Sequence, residues 1–148
     1  MKTSKFCWLA LVLLMLNVGV LYAQNPKVYS EGSVWGITMV RVKTGMGDDY
    51  LRSLNSNLKK IYDEARKQGL MMSYKILSGD ANGQGDWDML IMTEFKNMAA
   101  LDGLDDKMDA IQMKMVGTED VQKKLMMSRV DMRDIIGTKL MRELVFKP

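Results

Sequence analysis

Apolar residues along this chain fall into three spacings, and each change of spacing marks a change of element. Val34 to Val42 ("VWGITMVRV") is apolar at almost every position. A run of that length and density suits a strand buried on both faces. Beyond it Leu51, Leu54, Leu58, Ile61 and Ala65 recur at steps of 3, 4, 3 and 4, the stripe of an amphipathic helix. Asp48 and Asp49 fall in its first turn and Lys67 in its last, where each complements the helix dipole. Asp48 has the position of a cap and Gly69 that of a terminator. The intervening "KTGMG" is then the turn from strand to helix.

Two further strands are predicted at Leu70 to Leu77 and Trp87 to Phe95. The Gly-, Asp- and Asn-rich "SGDANGQGD" between them marks a hairpin loop. From Asn97 to Ile136 the period returns to that of a helix, with Leu104, Met108, Ile111 and Met115 on one stripe. Gly117 breaks it, Thr118 can cap a second helix, and Val121, Leu125, Met132 and Ile136 continue an apolar face. Lys139 to Phe146 reads as a short final strand, with a helical continuation as the alternative.

Strand, helix, strand, strand, helical region, strand is the order of an α+β, ferredoxin-like βαββαβ fold, with one antiparallel sheet and its helices on one face. In the third strand Trp87, Met89, Ile91, Thr93 and Phe95 share one face, and Asp88, Leu90, Met92 and Glu94 the other. In the first, Trp35, Ile37 and Met39 oppose Val34, Thr38, Val40 and Val42. Neither face is polar enough to lie wholly in water, because soluble monomers rarely expose an apolar patch of several hundred Å². A second copy of the same sheet covers it most simply, so a homodimer is expected.

The N-terminus carries an address. Lys2 and Lys5 precede the apolar run Phe6 to Val20, and "LYA" before Gln24 offers a cleavage site after Ala23. Residues 1–23 therefore read as a secretory signal peptide, since the run is shorter than the roughly 20 residues of a spanning helix. Residues 24–33 read as a polar leader and 34–148 as one domain. The expected location is secreted or periplasmic, with no attachment to a membrane after cleavage. The only cysteine, Cys7, lies inside the signal, so the remaining chain has no disulfide and no thiolate chemistry. The formal net charge of +3 includes Lys2 and Lys5, which leaves the rest of the chain close to neutral. Its charges are interspersed, and no basic cluster is interleaved with aromatics, so no nucleic-acid partner is expected.

The chain has no histidine. Together with the missing cysteine this excludes the usual zinc sites, Ser-His-Asp triads and Cys or His nucleophiles. "KTGMGDDY" is not a phosphate loop, since Lys43 precedes Gly45 and Gly47 follows at once; nor does it space its acids as a calcium loop does. The 16 methionines include soft ligands of the kind that select Cu(I). Most lie on the predicted stripe or in strands, as Met108, Met115, Met89 and Met92 do, and these suit core filling better. No metal and no cofactor is therefore assigned. The remaining chemistry belongs to carboxylates, Lys, Arg, Tyr and Trp. Glu94 is the candidate base. Trp35, Tyr74 and Trp87 are candidates to stack on a flat ligand, and Arg41, Asp88 and Arg142 to bind its polar groups. Packing and strand-end ion pairs account for the same residues without a ligand.

With "VRVKTGMGDDYLRSL" at the place of a strand, a Lys-Pro-Gly-like turn and an acid-led helix, the chain resembles the dimeric α/β-barrel superfamily over about residues 34–146. That superfamily includes antibiotic-biosynthesis-type monooxygenases, EthD-like proteins and NIPSNAP-like domains. The resemblance implies a homodimer with a cavity beside the sheet. Thr44 stands where a proline is common, the helical region after Asn97 is long, and mechanisms that use a histidine cannot transfer. The expectation is an exported domain that binds a small apolar or aromatic molecule. A cofactor-independent monooxygenase or isomerase-like enzyme and a structural or assembly protein without a ligand site are the alternatives.

Overall fold

The computed structural model describes residues 27–83 and 85–148; the signal-peptide reading of residues 1–23 lies outside them. Residues 31–145 form one compact unit, and residues 27–30 with 146–148 fall in another. In the smaller unit the amide of Lys147 donates to the carbonyl of Val28 at 2.9 Å, and the Lys27 ammonium lies 5.7 Å from the Tyr29 ring.

The strands are β1 (Tyr29–Val42), β2 (Ser73–Ser78), β3 (Met89–Phe95) and β4 (Arg133–Phe146). They form one open antiparallel sheet in the order β2-β3-β1-β4. β3 pairs antiparallel with β1 from Val34↔Phe95 to Val40↔Met89 and with β2 from Ser73↔Glu94 to Ser78↔Met89. Among the described residues three helices accompany the sheet. The first, α1, runs through Gly47–Ser53, a π turn at Leu54–Leu58 and Lys59–Lys67; α2 is Leu104–Val116 and α3 is Glu119–Met132. This α+β arrangement is compatible with a ferredoxin-like plan. Among the described residues no helix is long and apolar enough to cross a membrane.

Alternation along β1 and β3 divides the sheet as the sequence suggests. Val34, Val40, Met89, Ile91 and Phe95 are buried under the helices. One core cluster joins Val34 and Phe95 to Ile61, Ala65, Met71 and Ile111; the other joins Val40, Met89 and Ile91 to Tyr50 and Leu54. Tyr62 packs against both.

The turn after β1 is closed by the Met46 amide donating to Lys43 at 2.9 Å, with Gly45 at φ +79°, a value that favours glycine. Helix α1 starts at Gly47 with Met46 in the cap position and no side-chain cap, so Asp48 belongs to the first turn and is not the cap. Its buried stripe begins at Tyr50, 1% exposed, while Leu51 is 49% exposed. The π turn explains part of this shift. Ser56 Oγ donates to Arg52 O at 2.8 Å and Asn57 Nδ2 to Ser53 O at 3.2 Å, and such side-chain bonds compete for the carbonyls of the helical ladder.

Four boundaries differ from the sequence expectation, the first being that of β2, which begins at Ser73 and not at Leu70. Strand β1 begins at Tyr29, inside the segment read as a polar leader. Strand β3 begins at Met89, so Trp87 lies in the preceding loop. Strand β4 begins at Arg133 with no connecting loop, and Ile136, expected on a helix, is a strand residue. The β-branched Ile135, Ile136 and Thr138 favour the pleated conformation. Pairing with β1 reinforces it: the Lys43 amide donates to Met132 O at 2.9 Å and Ser33 Oγ to Glu143 at 3.2 Å. Residue numbers thus rise on one strand as they fall on the other. Thr118 holds the cap position of α3 but makes no side-chain cap bond.

Ile111 is 2% exposed and joins α2 to the first core cluster. Replacing it with alanine deletes three carbons that the surroundings cannot refill, so Ile111→Ala is expected to cost about 2–5 kcal/mol. Urea unfolding compared with wild type measures it.

Candidate functional site

The residue after Tyr50 opens the site. With Tyr50 taken into the core, Leu51 turns aside, and a cleft lies between α1 and the edge strand β2. Leu51, Leu54, Asn55 and Lys59 line it from the helix, and Tyr74, Ile76 and Ser78 from the strand. Tyr74, Ile76 and Ser78 alternate along β2 and so share one face. The volume is about 350 Å³, within the roughly 300–1,000 Å³ of small-molecule sites. Its walls are Leu, Ile and the Tyr ring, with the polar groups of Asn55, Lys59 and Ser78 among them.

A polar cluster closes one end. Lys59 Nζ donates to Asp63 Oδ2 at 2.5 Å and the Tyr74 hydroxyl to Asp63 Oδ1 at 3.0 Å. The Arg66 guanidinium lies 5.9 Å from the Tyr74 ring, and Tyr62 meets Tyr74 edge-on at 5.3 Å between centroids. The hydrogen bonds from Lys59 and then Tyr74 hold the Asp63 carboxyl below its ordinary 3.8. The Asp63 partner raises Lys59 above 10.5. Loss of solvation, followed by the Asp63 bond, raises Tyr74 above 10.0. All three shifts lead away from neutrality, so Asp63 and Lys59 stay charged and Tyr74 stays protonated. Groups fixed in this way can orient a ligand, but they are poorly matched to proton transfer near pH 7.

The opposite face of the sheet is arranged in rows. Trp35 pairs with Glu94 and Glu94 with Ser73; Ile37 pairs with Met92 and Met92 with Lys75; Met39 pairs with Leu90 and Leu90 with Leu77. Ser73 Oγ donates to Glu94 at 2.5 Å, and Lys75 Nζ lies 5.6 Å from the Trp35 ring. Past the last row, Asp88 accepts the Val42 amide at 3.0 Å, and Arg41 donates to the carbonyl of Gly83 in the hairpin loop. Asp86 organises that loop by accepting the amides of Asn82 and Trp87, and these bonds lower its pKa.

The residues singled out from the sequence therefore occupy separate places. Trp35 and Glu94 are neighbours on the open face, and Arg41 and Asp88 serve its far end. Trp87, 37% exposed, lies in the loop at the end of β3 opposite Glu94. Tyr74 is on the helix side, in the cleft. Arg142 is on β4, paired with Glu31. The structure brings Trp35 to Glu94 and Arg41 to Asp88, and does not unite the two pairs or join either to Tyr74. Sequence reading passed over Leu51, Leu54, Lys59 and Ile76 as cleft residues. Both leucines lie on the helical stripe, and Leu54 is core as well as cleft wall while only Leu51 leaves the core; the spacing of four from Lys59 to Asp63 is a legible ion pair.

Among the described residues no group of three or more His, Cys, Asp or Glu could hold a metal ion. Compared with family models, curated proteins and solved structures, the chain matches none of them. The geometry thus defines a class only: an α+β domain with a four-stranded antiparallel sheet and an apolar cleft at its edge.

Because Asp63 titrates lower in the folded protein than in the unfolded chain, its contribution to stability is complete above its unfolded value. It disappears as pH falls through the folded value. Stability measured by urea unfolding should therefore drop as pH falls below 3.8, and Asp63→Asn should remove part of that drop. An acid limb identical in the variant would show that Asp63 is not held low.

Proposed function

We propose that this chain is a ferredoxin-like α/β-barrel subunit that binds a small apolar or aromatic molecule in the cleft between α1 and β2. The observation that carries the reading is the cleft itself: about 350 Å³, walled by Leu51, Leu54, Tyr74 and Ile76, with the Asp63 cluster fixed at one end. Apolar walls supply the affinity, and a few placed polar groups set the orientation. Tyr74 offers a ring face to a flat ligand. Glu94 lies across the sheet from this cleft and has no part in the reading.

The second element of the proposal is a homodimer formed through the open sheet face. Ile37, Met39, Leu90 and Met92 lie in adjacent rows there, and Leu77 beside them is 50% exposed. A second copy offers a face of the same pleat and the same apolar rows, and a two-fold axis lets one patch cover its equal. The exported location rests on the Phe6 to Val20 run of the sequence alone.

Ile76 is partly exposed at the cleft, so Ile76→Trp should fill it while changing stability by about 0.5 kcal/mol or less. Titration with indole, followed by amide NMR, is expected to shift Leu54, Tyr74 and Ile76 in wild type and to leave the variant unmoved. Shifts centred on Ile37 and Met92 would place binding elsewhere. If indole and a panel of other small aromatics shift nothing, the cleft is not a binding site.

Sedimentation at micromolar concentration is expected to give a dimer for wild type and a monomer for Ile37→Asp. A monomeric wild type would end the dimer reading and leave the cleft reading standing.

A further inference from the structure

Two arginines at the junction of α3 and β4 are cations without anions. Arg129 is in the last turn of α3, and Arg133 is the first residue of β4. The Nε atom of each is shielded from solvent and has no hydrogen-bond partner among the described residues. Neither forms an ion pair there. The nearby Asp134 instead faces Lys43, at 4.0 Å, and the Lys43 ammonium donates to Val130 O at 2.8 Å. Three positive groups thus gather where α3 meets the sheet, and the one carboxylate engaged there belongs to the lysine.

Their surroundings make this arrangement costly. The Arg133 guanidinium lies 5.7 Å from the ring of the buried Tyr50, a contact that favours a cation but supplies no negative charge. Burial, and after it the charge of Arg133, depresses the Arg129 pKa. Both side chains are only partly buried, so the cost lies in each Nε donor, which is cut off from water with no acceptor, and an arginine cannot escape by losing its proton. The helix dipole accounts for a cation in the last turn of α3. It does not account for a second cation beside the first, or for two Nε groups left without an acceptor.

A cleft adjoins Arg129. Asn57, Gln112 and Gln122 contribute amides to it, and Ile61 and Leu125 contribute apolar surface; its volume is about 20 Å³. Such a space holds about one water, or one ligand oxygen. Two of the amides are held in place: Gln122 Nε2 donates to Gly117 O at 2.8 Å and Asn57 Nδ2 to Ser53 O at 3.2 Å.

The geometry points to a small-oxyanion site at Arg129 and Arg133, taking a carboxylate or phosphate group that sets one oxygen in this cleft and shares its charge between the two guanidiniums. Planar guanidinium forks match both anions. The small volume admits the anionic end of a ligand and keeps its bulk outside. The site is separate from the α1–β2 cleft, so either can fail without the other.

Thermal unfolding of the full chain tests it, in sodium chloride, inorganic phosphate and acetate at matched pH and ionic strength. An anion that binds only the folded state raises the midpoint in proportion to its occupancy. The expected result is a saturable rise over chloride. A rise with phosphate alone, with acetate alone or with both identifies the preferred oxyanion. The rise should vanish in Arg129→Gln and weaken at least tenfold in apparent affinity in Arg133→Lys, which keeps the charge but loses the fork. It should persist in Lys123→Gln, which removes an exposed cation of α3. A rise that survives unchanged in Arg133→Lys is a general salt effect and overturns the proposal, as does the absence of any rise over chloride with both anions.

Discussion

The central position of β1 sets the terms for the rest of the molecule. It lies between β3 and β4, and successive side chains on it must point to opposite sides. A single helix layer covers one side only. Every even position from Val34 to Val42 therefore faces the helices, and every odd position from Trp35 to Arg41 faces away from them. Since the odd set includes Trp35, Ile37 and Met39, the strand that organises the core also produces an uncovered apolar face. No substitution on β1 affects one of these without regard to the other, because a slip of one residue would exchange them.

On the helix side the fit depends on Tyr50 and Tyr62. Tyr50 takes the core position that a regular stripe would have given to Leu51, and Tyr62 packs against both core clusters. Burial raises the pKa of both phenols, so they remain neutral groups beside two arginines. The displacement of Leu51 leaves space along β2, while the approach of α3 places Arg129 and Arg133 near Tyr50. The apolar cleft and the cationic junction are thus two consequences of how α1 is set on the sheet.

The elements of the fold were legible in the sequence where periodicity was strong. The stripe from Leu54 to Ala65, the alternation in β3 and the Gly- and Asp-rich hairpin loop each appear where their spacing indicates. Boundaries were less legible where two tendencies compete. Ile136 continues a helical stripe by spacing, yet as a β-branched residue it suits a strand, and pairing with β1 decides the matter. The seven residues of the candidate site were less legible still. A list of residue types does not reveal which face of the sheet each occupies, and Tyr74 is separated from Glu94 by the thickness of the sheet even though its neighbour Ser73 touches that carboxylate. Leu51 could not have been recognised as cleft lining, because its exposure follows from the π turn and from Tyr50, neither of which has a spacing of its own.

The strand order also has a consequence for how the chain comes together. β2 and β3 are consecutive strands joined by the loop of residues 79–88, so they can pair locally, with less loss of entropy on closure than a distant pair. β4 is the last element in sequence, yet its partner is β1, the first. One hydrogen-bonding edge of the middle strand therefore stays open until residues 133–146 are present. Arg133, where α3 passes directly into β4, is the first residue of the strand that closes that edge.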